Sequence, residues 1–161
     1  MTPTVGKSRN WKYSTEQEVE HNVMKTLKRR IWQRIFGICA TQKPQDEKCW
    51  TYSEELLTID LGRVPELTQP TGAIRLEDDK LPERVLIIHG DNDQYYAFKN
   101  RCQHMGRRLD PVPDMETVQC CSIGKSTYDY NGKVISGPAK ETLTIYPVDI
   151  DNGKLFVNLE K

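Results

Sequence analysis

From Trp50 onward, short apolar stretches alternate with turn residues, and this rhythm limits the fold more than any other feature of the chain. "ELLTIDL" at 55, "GAIRLE" at 72, "RVLIIHG" at 84, "QYYAFKN" at 94 and "ETVQCC" at 116 are each about one strand long. "STYDY", "GKVIS", "LTIYPVDI" and "KLFVNL" follow. Asp91-Asn92, Asn131-Gly132 and Asn152-Gly153 punctuate them. Such dipeptides tolerate the positive φ that tight hairpins require. Regularly spaced short strands with these turns predict an all-β antiparallel sandwich or barrel over residues 50–161.

The chain before Trp50 has a different texture. Residues 1–14 read as a flexible arm. Ser14-Thr15, followed by Glu16, Glu18 and Glu20, resembles a helix start with acidic side chains near the positive end of the dipole. Val19, Val23, Leu27, Ile31, Ile35 and Ile38 then recur at helical spacing, with Lys25, Lys28, Arg29 and Arg34 toward the other end. An amphipathic helix over 15–38 is predicted, packed on its own domain or on a partner subunit, which makes a homo-oligomer through this helix one expected partner. A basic helix lying on a membrane surface ranks behind that reading. Residues 39–49, with Pro44 in a polar run, read as a linker.

Charge and cysteine usage narrow the class. Lys plus Arg and Asp plus Glu both number 23, so the chain lacks the basic excess of a general nucleic-acid binder. No apolar run approaches the ~20 residues of a membrane span. Five cysteines, an odd number, fit poorly with a secreted disulfide framework. Reduced thiols or metal ligands in the cytoplasm are expected instead. Arg29-Arg30 before "IWQRIFGICA" resembles a twin-arginine export signal, but Arg34 interrupts the apolar run. Cytoplasmic location is therefore placed ahead of export or peripheral membrane association.

"CSIGKSTYDYNGKVISGPA", residues 121–139, admits two chemical readings. Gly124-Lys125-Ser126-Thr127 looks like the end of a phosphate-binding loop. That loop needs a glycine five residues before Gly124, where Gln119 stands, and a helix starting at the Lys-Ser. A hairpin sequence follows instead, so no nucleotide is expected.

The second reading begins upstream, in "NRCQHMGRRLDP". Cys102 and His104 alternate across one residue, and Cys121 comes later at a matching distance. Cys-x-His followed by Cys-x-x-His is the pattern in which two thiolates hold one iron and two imidazoles the other. The resemblance is to the Rieske proteins. Cys121, Ser126 and Tyr128 fall on the second-loop cysteine, serine and tyrosine, and Asn131-Gly132 falls on the turn. Gly137-Pro138-Ala139 falls on the proline loop that shields the cluster. The similarity runs over roughly residues 55–159.

The resemblance implies a Rieske-like antiparallel β-sandwich with a small cluster-binding subdomain, preceded by the N-terminal α-helix. It also implies a [2Fe–2S] cluster held by Cys102, His104 and Cys121. Ser126 and Tyr128 would donate hydrogen bonds to the cluster's sulfurs, and Gly137 and Pro138 would shield it. The second histidine position is Gly124, which has no ligand to offer. Cys120 is a candidate replacement, although strand neighbours point to opposite faces. Taking Cys120 as the motif cysteine puts Ile123 at the histidine position, so that register also lacks a ligand.

Three functions stay open at this stage. One is a one-electron carrier or accessory subunit with an atypical ligand set, serving a redox partner protein or oxidoreductase complex. Another is a cluster-less docking subunit with the same fold. The third is a mononuclear zinc site built from Cys102, His104, Cys120 and Cys121. None is an enzyme by itself: no catalytic triad or paired-carboxylate arrangement can be picked out.

Overall fold

The computed structural model describes residues 29–160. Among these residues, twelve strands form three antiparallel four-stranded sheets. β1 (Trp50–Ser53), β2 (Leu56–Asp60), β12 (Lys154–Asn158) and β11 (Val148–Asp151) make the first, in that spatial order. β10 (Ile145–Tyr146), β5 (Tyr95–Lys99), β4 (Val85–His89) and β3 (Ala73–Leu76) make the second. β6 (Leu109–Val112), β7 (Thr117–Cys120), β8 (Thr127–Asp129) and β9 (Val134–Ser136) make the third. The all-β expectation holds.

The sequence of β4 explains how the layers stack. "VLIIH" is buried at every position, unlike the half-buried alternation of β2 and β12. Val85 and Ile87 join the core shared with Leu57, Ile59, Leu155 and Val157. Leu86 and Ile88 face the other way, onto Phe98, Leu109, Val118 and Tyr128. A strand covered on both faces needs a continuous apolar run, and each such side chain contributes about 1.5–3 kcal/mol on burial. β4 thus joins the main sandwich to the small sheet.

The three turn dipeptides all lie in hairpin connections. Asn152 and Gly153 both adopt positive φ (47° and 74°) between β11 and β12, as a type I′ turn demands. Gly132, at φ 80°, closes the β8–β9 hairpin. Two strands were not anticipated. β1 pairs with β2, and β6 contains Pro111, a residue that argues against a strand. β6 lies at the sheet edge, where a missing N–H is tolerated.

His89 serves the structure. Its ring stacks on Tyr95 at 4.5 Å, and Nδ1 lies 2.9 Å from the Leu67 carbonyl.

Of the helix predicted over 15–38, residues 15–28 lie outside the described residues. Within them, α1 covers Ile31–Ile35 only, and Phe36 caps it. Its burial is the reverse of an amphipathic expectation: Arg34 is buried, while Ile31, Trp32, Ile35, Phe36 and Ile38 are exposed. The segment expected as a linker is tied to the body. Thr41 N and Oγ1 each donate to Asp110 Oδ1 at 2.7 Å, Arg29 pairs with the same carboxylate, and Arg75 N donates to Gln42 O at 2.9 Å. Among the described residues, no helix is long and apolar enough to cross a membrane.

Candidate metal centre

Two loops of the small sheet face each other. The first runs from β5 to β6 and carries Cys102 and His104; the second joins β7 to β8 and carries Cys120 to Ser126. Each is closed by backbone bonds before any metal is considered. In the first, Cys102 N donates to Arg107 O at 2.7 Å and Gly106 N to Cys102 O at 2.8 Å. Asn100, fully buried at its base, accepts Leu109 N at 2.7 Å through Oδ1. In the second, Cys120 N donates to Ser126 O at 2.8 Å, and Cys121 N crosses to Arg108 O at 3.0 Å. Arg108 is held in turn by Glu77, whose carboxylate the paired guanidinium keeps below its usual range.

Strand alternation decides which thiol meets Cys102. Val118 and Cys120 lie on the inner face of β7, in one buried cluster with Cys102, Phe98, Leu109 and Tyr128. Cys120 Sγ donates to Ser122 Oγ at 3.2 Å, and its thiol lies near enough to Cys102 for each to shift the other's ionisation. Cys121 is buried on the opposite side, where its Sγ donates to Gly37 O at 3.2 Å. Arg34 reaches the same region, with Nη1 3.4 Å from Ser122 O and Nη2 3.4 Å from Gln119 Oε1. The structure therefore brings Cys102, Cys120 and His104 to the loop pair and turns Cys121 toward the N-terminal segment.

The surroundings of Cys102 favour a negative sulfur. The neighbouring Cys120 thiol, the Tyr128 hydroxyl at 3.4 Å and the backbone N–H groups of His104 and Met105 together lower its pKa to about 5, against the opposing effect of burial. Cys120 is pushed the other way by the neighbouring Cys102 and by burial. Burial, then the nearby Asp110, raises Cys121. Tyr128 is fully buried, and its oxygen also accepts Gln103 N at 3.2 Å.

The remaining predicted residues frame the second loop. Ser126 Oγ accepts Ala139 N at 3.1 Å, which fastens the Gly137-Pro138-Ala139 segment. Gly137 sits at φ 89°, and a Cβ there would lie 2.5 Å from Ser126 Cα, so no other residue fits without movement. Gly124 faces both His104 and Pro138. A Cβ on it would lie 3.5 Å from His104 Cε1 but 2.8 Å from Pro138 Cγ. The loops thus keep the opposition of the two histidine positions, and the proline ring fills the room where one side chain would begin. An open cleft of about 430 Å³ lies beside the first loop, lined by Lys99, Arg101, Cys102, His104 and Thr144 among others.

Among the described residues, no three His, Cys, Asp or Glu side chains surround a single metal position. A single zinc ion requires such convergence. A two-iron cluster does not, because each iron takes two protein ligands. Sequence reasoning held Cys120 as a candidate for the vacant position and as one ligand of a zinc site. The apolar Val118 two residues earlier marks the inward face and was the available signal.

Comparison with known proteins bears on the family and the fold. The 3-phenylpropionate/cinnamic acid dioxygenase ferredoxin subunit of Escherichia coli (strain K12) is 30% identical over 77 residues, covering 47% of this chain and 73% of the relative. The counterpart from Shigella flexneri serotype 5b is 29% identical over the same length. Among solved structures, the complex of reduced oxygenase and oxidized ferredoxin in carbazole 1,9a-dioxygenase matches with a TM-score of 0.55 at 18% identity, covering 68% of this chain and 97% of that chain. That likeness shows the fold. The Rieske [2Fe-2S] domain family model matches residues 61–147, more than half the chain. With that match and the paired loops, the chain belongs to the Rieske [2Fe-2S] domain family.

Proposed function

We propose that the protein is a one-electron carrier or accessory subunit with an atypical ligand set, working with a redox partner enzyme. Cys102 and Cys120 supply the thiolates for one iron of a [2Fe–2S] cluster, and His104 supplies an imidazole for the other. The observation that carries this reading is the sulfur pair: two buried thiols from opposed loops, one of them ringed by hydrogen-bond donors. When bound, the cluster supplies reversible one-electron chemistry.

The chain's own contribution is electrostatic and steric. The Tyr128 hydroxyl and the His104 and Met105 amides stabilise negative charge on the Cys102 sulfur, so they favour gaining an electron. Phe98, Leu109 and Val118 keep water from the inner side of the sulfur pair. His104 is exposed and forms the outward edge, where a partner approaches. The Escherichia coli relative is named as a ferredoxin subunit of a dioxygenase, which makes an oxygenase the favoured class of partner.

One observation favours a second reading. The Pro138 ring closes on the Gly124 position, as expected of a domain that keeps the fold for docking and holds no cluster. Oxygen-free purification followed by iron, acid-labile sulfide and zinc analysis separates the two. Two irons and two sulfides per chain support the carrier. A folded, colourless, metal-free protein supports the docking subunit, and zinc alone supports neither.

A further inference from the structure

We propose that the exposed apolar face of residues 31–38 is a docking surface for a second copy of this chain. Ile31, Trp32, Ile35, Phe36 and Ile38 are between 42% and 66% exposed. Scattered single apolar residues on a surface need no partner, but five large ones within eight positions do. Together they present roughly 550 Å² of side-chain surface, so a symmetric pair would bury about 1,100 Å², just above the size at which specific contacts begin.

The face is held in position by its polar underside. Arg34 bonds Ser122 O and Gln119 Oε1, Cys121 Sγ donates to Gly37 O, and Arg107 Nη1 donates to Phe36 O at 3.0 Å. With Arg34 and Gly37 turned inward, Gln33 is the one polar side chain exposed between Ile31 and Ile38. That arrangement selects among partners. A membrane-surface helix places lysines and arginines beside its apolar side. Here Arg34 faces the protein and Arg29 is paired with Asp110, which leaves Arg30 as the exposed cation of the described segment.

A second copy faces no such difficulty. A two-fold contact sets each patch against itself, and an uncharged patch incurs no like-charge repulsion. The proposal does not depend on the ligand set.

The test is the solution mass of the full chain, by sedimentation equilibrium and light scattering. The wild-type protein is expected at twice its 18.6 kDa chain mass. The Trp32→Glu/Phe36→Glu variant is expected at the single-chain mass with an unchanged far-UV circular dichroism spectrum, because both side chains are exposed. Ile150→Glu, on the exposed face of β11, should stay dimeric. A wild-type monomer at about 100 µM, or a dimer that survives the double substitution, overturns the proposal. So does a monomer that floats with phosphatidylglycerol vesicles through Trp32 and Phe36. None of these outcomes alters the iron and sulfide analysis, so the two readings fail separately.

Discussion

Cys120 and Cys102 share one buried cluster where the two loops meet, although they come from opposite loops. That placement fixes which sulfurs can act together, and it follows from side-chain alternation along β7.

Tyr128→Phe removes a hydroxyl that lies on both Cys102 Sγ and Gln103 N. Leaving a part-buried amide unpaired costs about 1–3 kcal/mol. Urea denaturation of the metal-free variant should show that loss. In cluster-loaded protein the same change should lower the reduction potential, measured by voltammetry, because one donor to an anionic sulfur is gone.

Gly137→Ala places a methyl 2.5 Å from Ser126 Cα at a φ of 89°. The variant should be destabilised by about 1–3 kcal/mol. Amide exchange at Ala139, whose N–H is held by Ser126 Oγ, should accelerate. Unchanged exchange would mean that the proline loop is anchored elsewhere.

Glu77 gives the fold an acid-sensitive joint. Its bonds to Arg108 hold its pKa below the ordinary 4.5. The native state therefore binds that proton less readily than the unfolded state. The stabilisation is fully present above the unfolded value and is lost as pH falls through the lower folded value. Glu77→Gln should flatten the stability–pH curve below about pH 4.5 and leave its shape near neutrality unchanged.

Asp110 is buried beneath the N-terminal segment, where it accepts two bonds from Thr41 and pairs with Arg29. Asp110→Ala strips a buried guanidinium of its partner, at a cost of about 3–5 kcal/mol. Limited proteolysis should then cut within residues 29–48 before it cuts the sandwich.

The sheet strands and hairpins were legible because their cues are local. Asn-Gly pairs need positive φ, and "VLIIH" is apolar throughout because two layers cover it. β6 was hidden by Pro111, whose tolerance depends on an edge position that only topology reveals. The burial of α1 was not legible either. Helical spacing marks Ile31 and Ile35 as a stripe, but the acceptors that draw Arg34 inward, Ser122 O and Gln119, come from 85 or more residues away. The loop pair itself was readable from Cys102, His104 and the run from Ser126 to Ala139. Motif alignment assigned Cys121, with strand alternation held against Cys120 joining it; that β7 turns Val118 and Cys120 onto Cys102 depends on strand pairing that the motif does not encode.

The account rests most directly on the iron content of two serine variants, purified without oxygen beside the wild-type protein. Cys121→Ser should keep the iron and sulfide of the parent and its visible spectrum, since that thiol meets Gly37 O on the far side of β7. Cys120→Ser should lose both. Loss in Cys121→Ser with retention in Cys120→Ser would contradict the assignment of the sulfur pair.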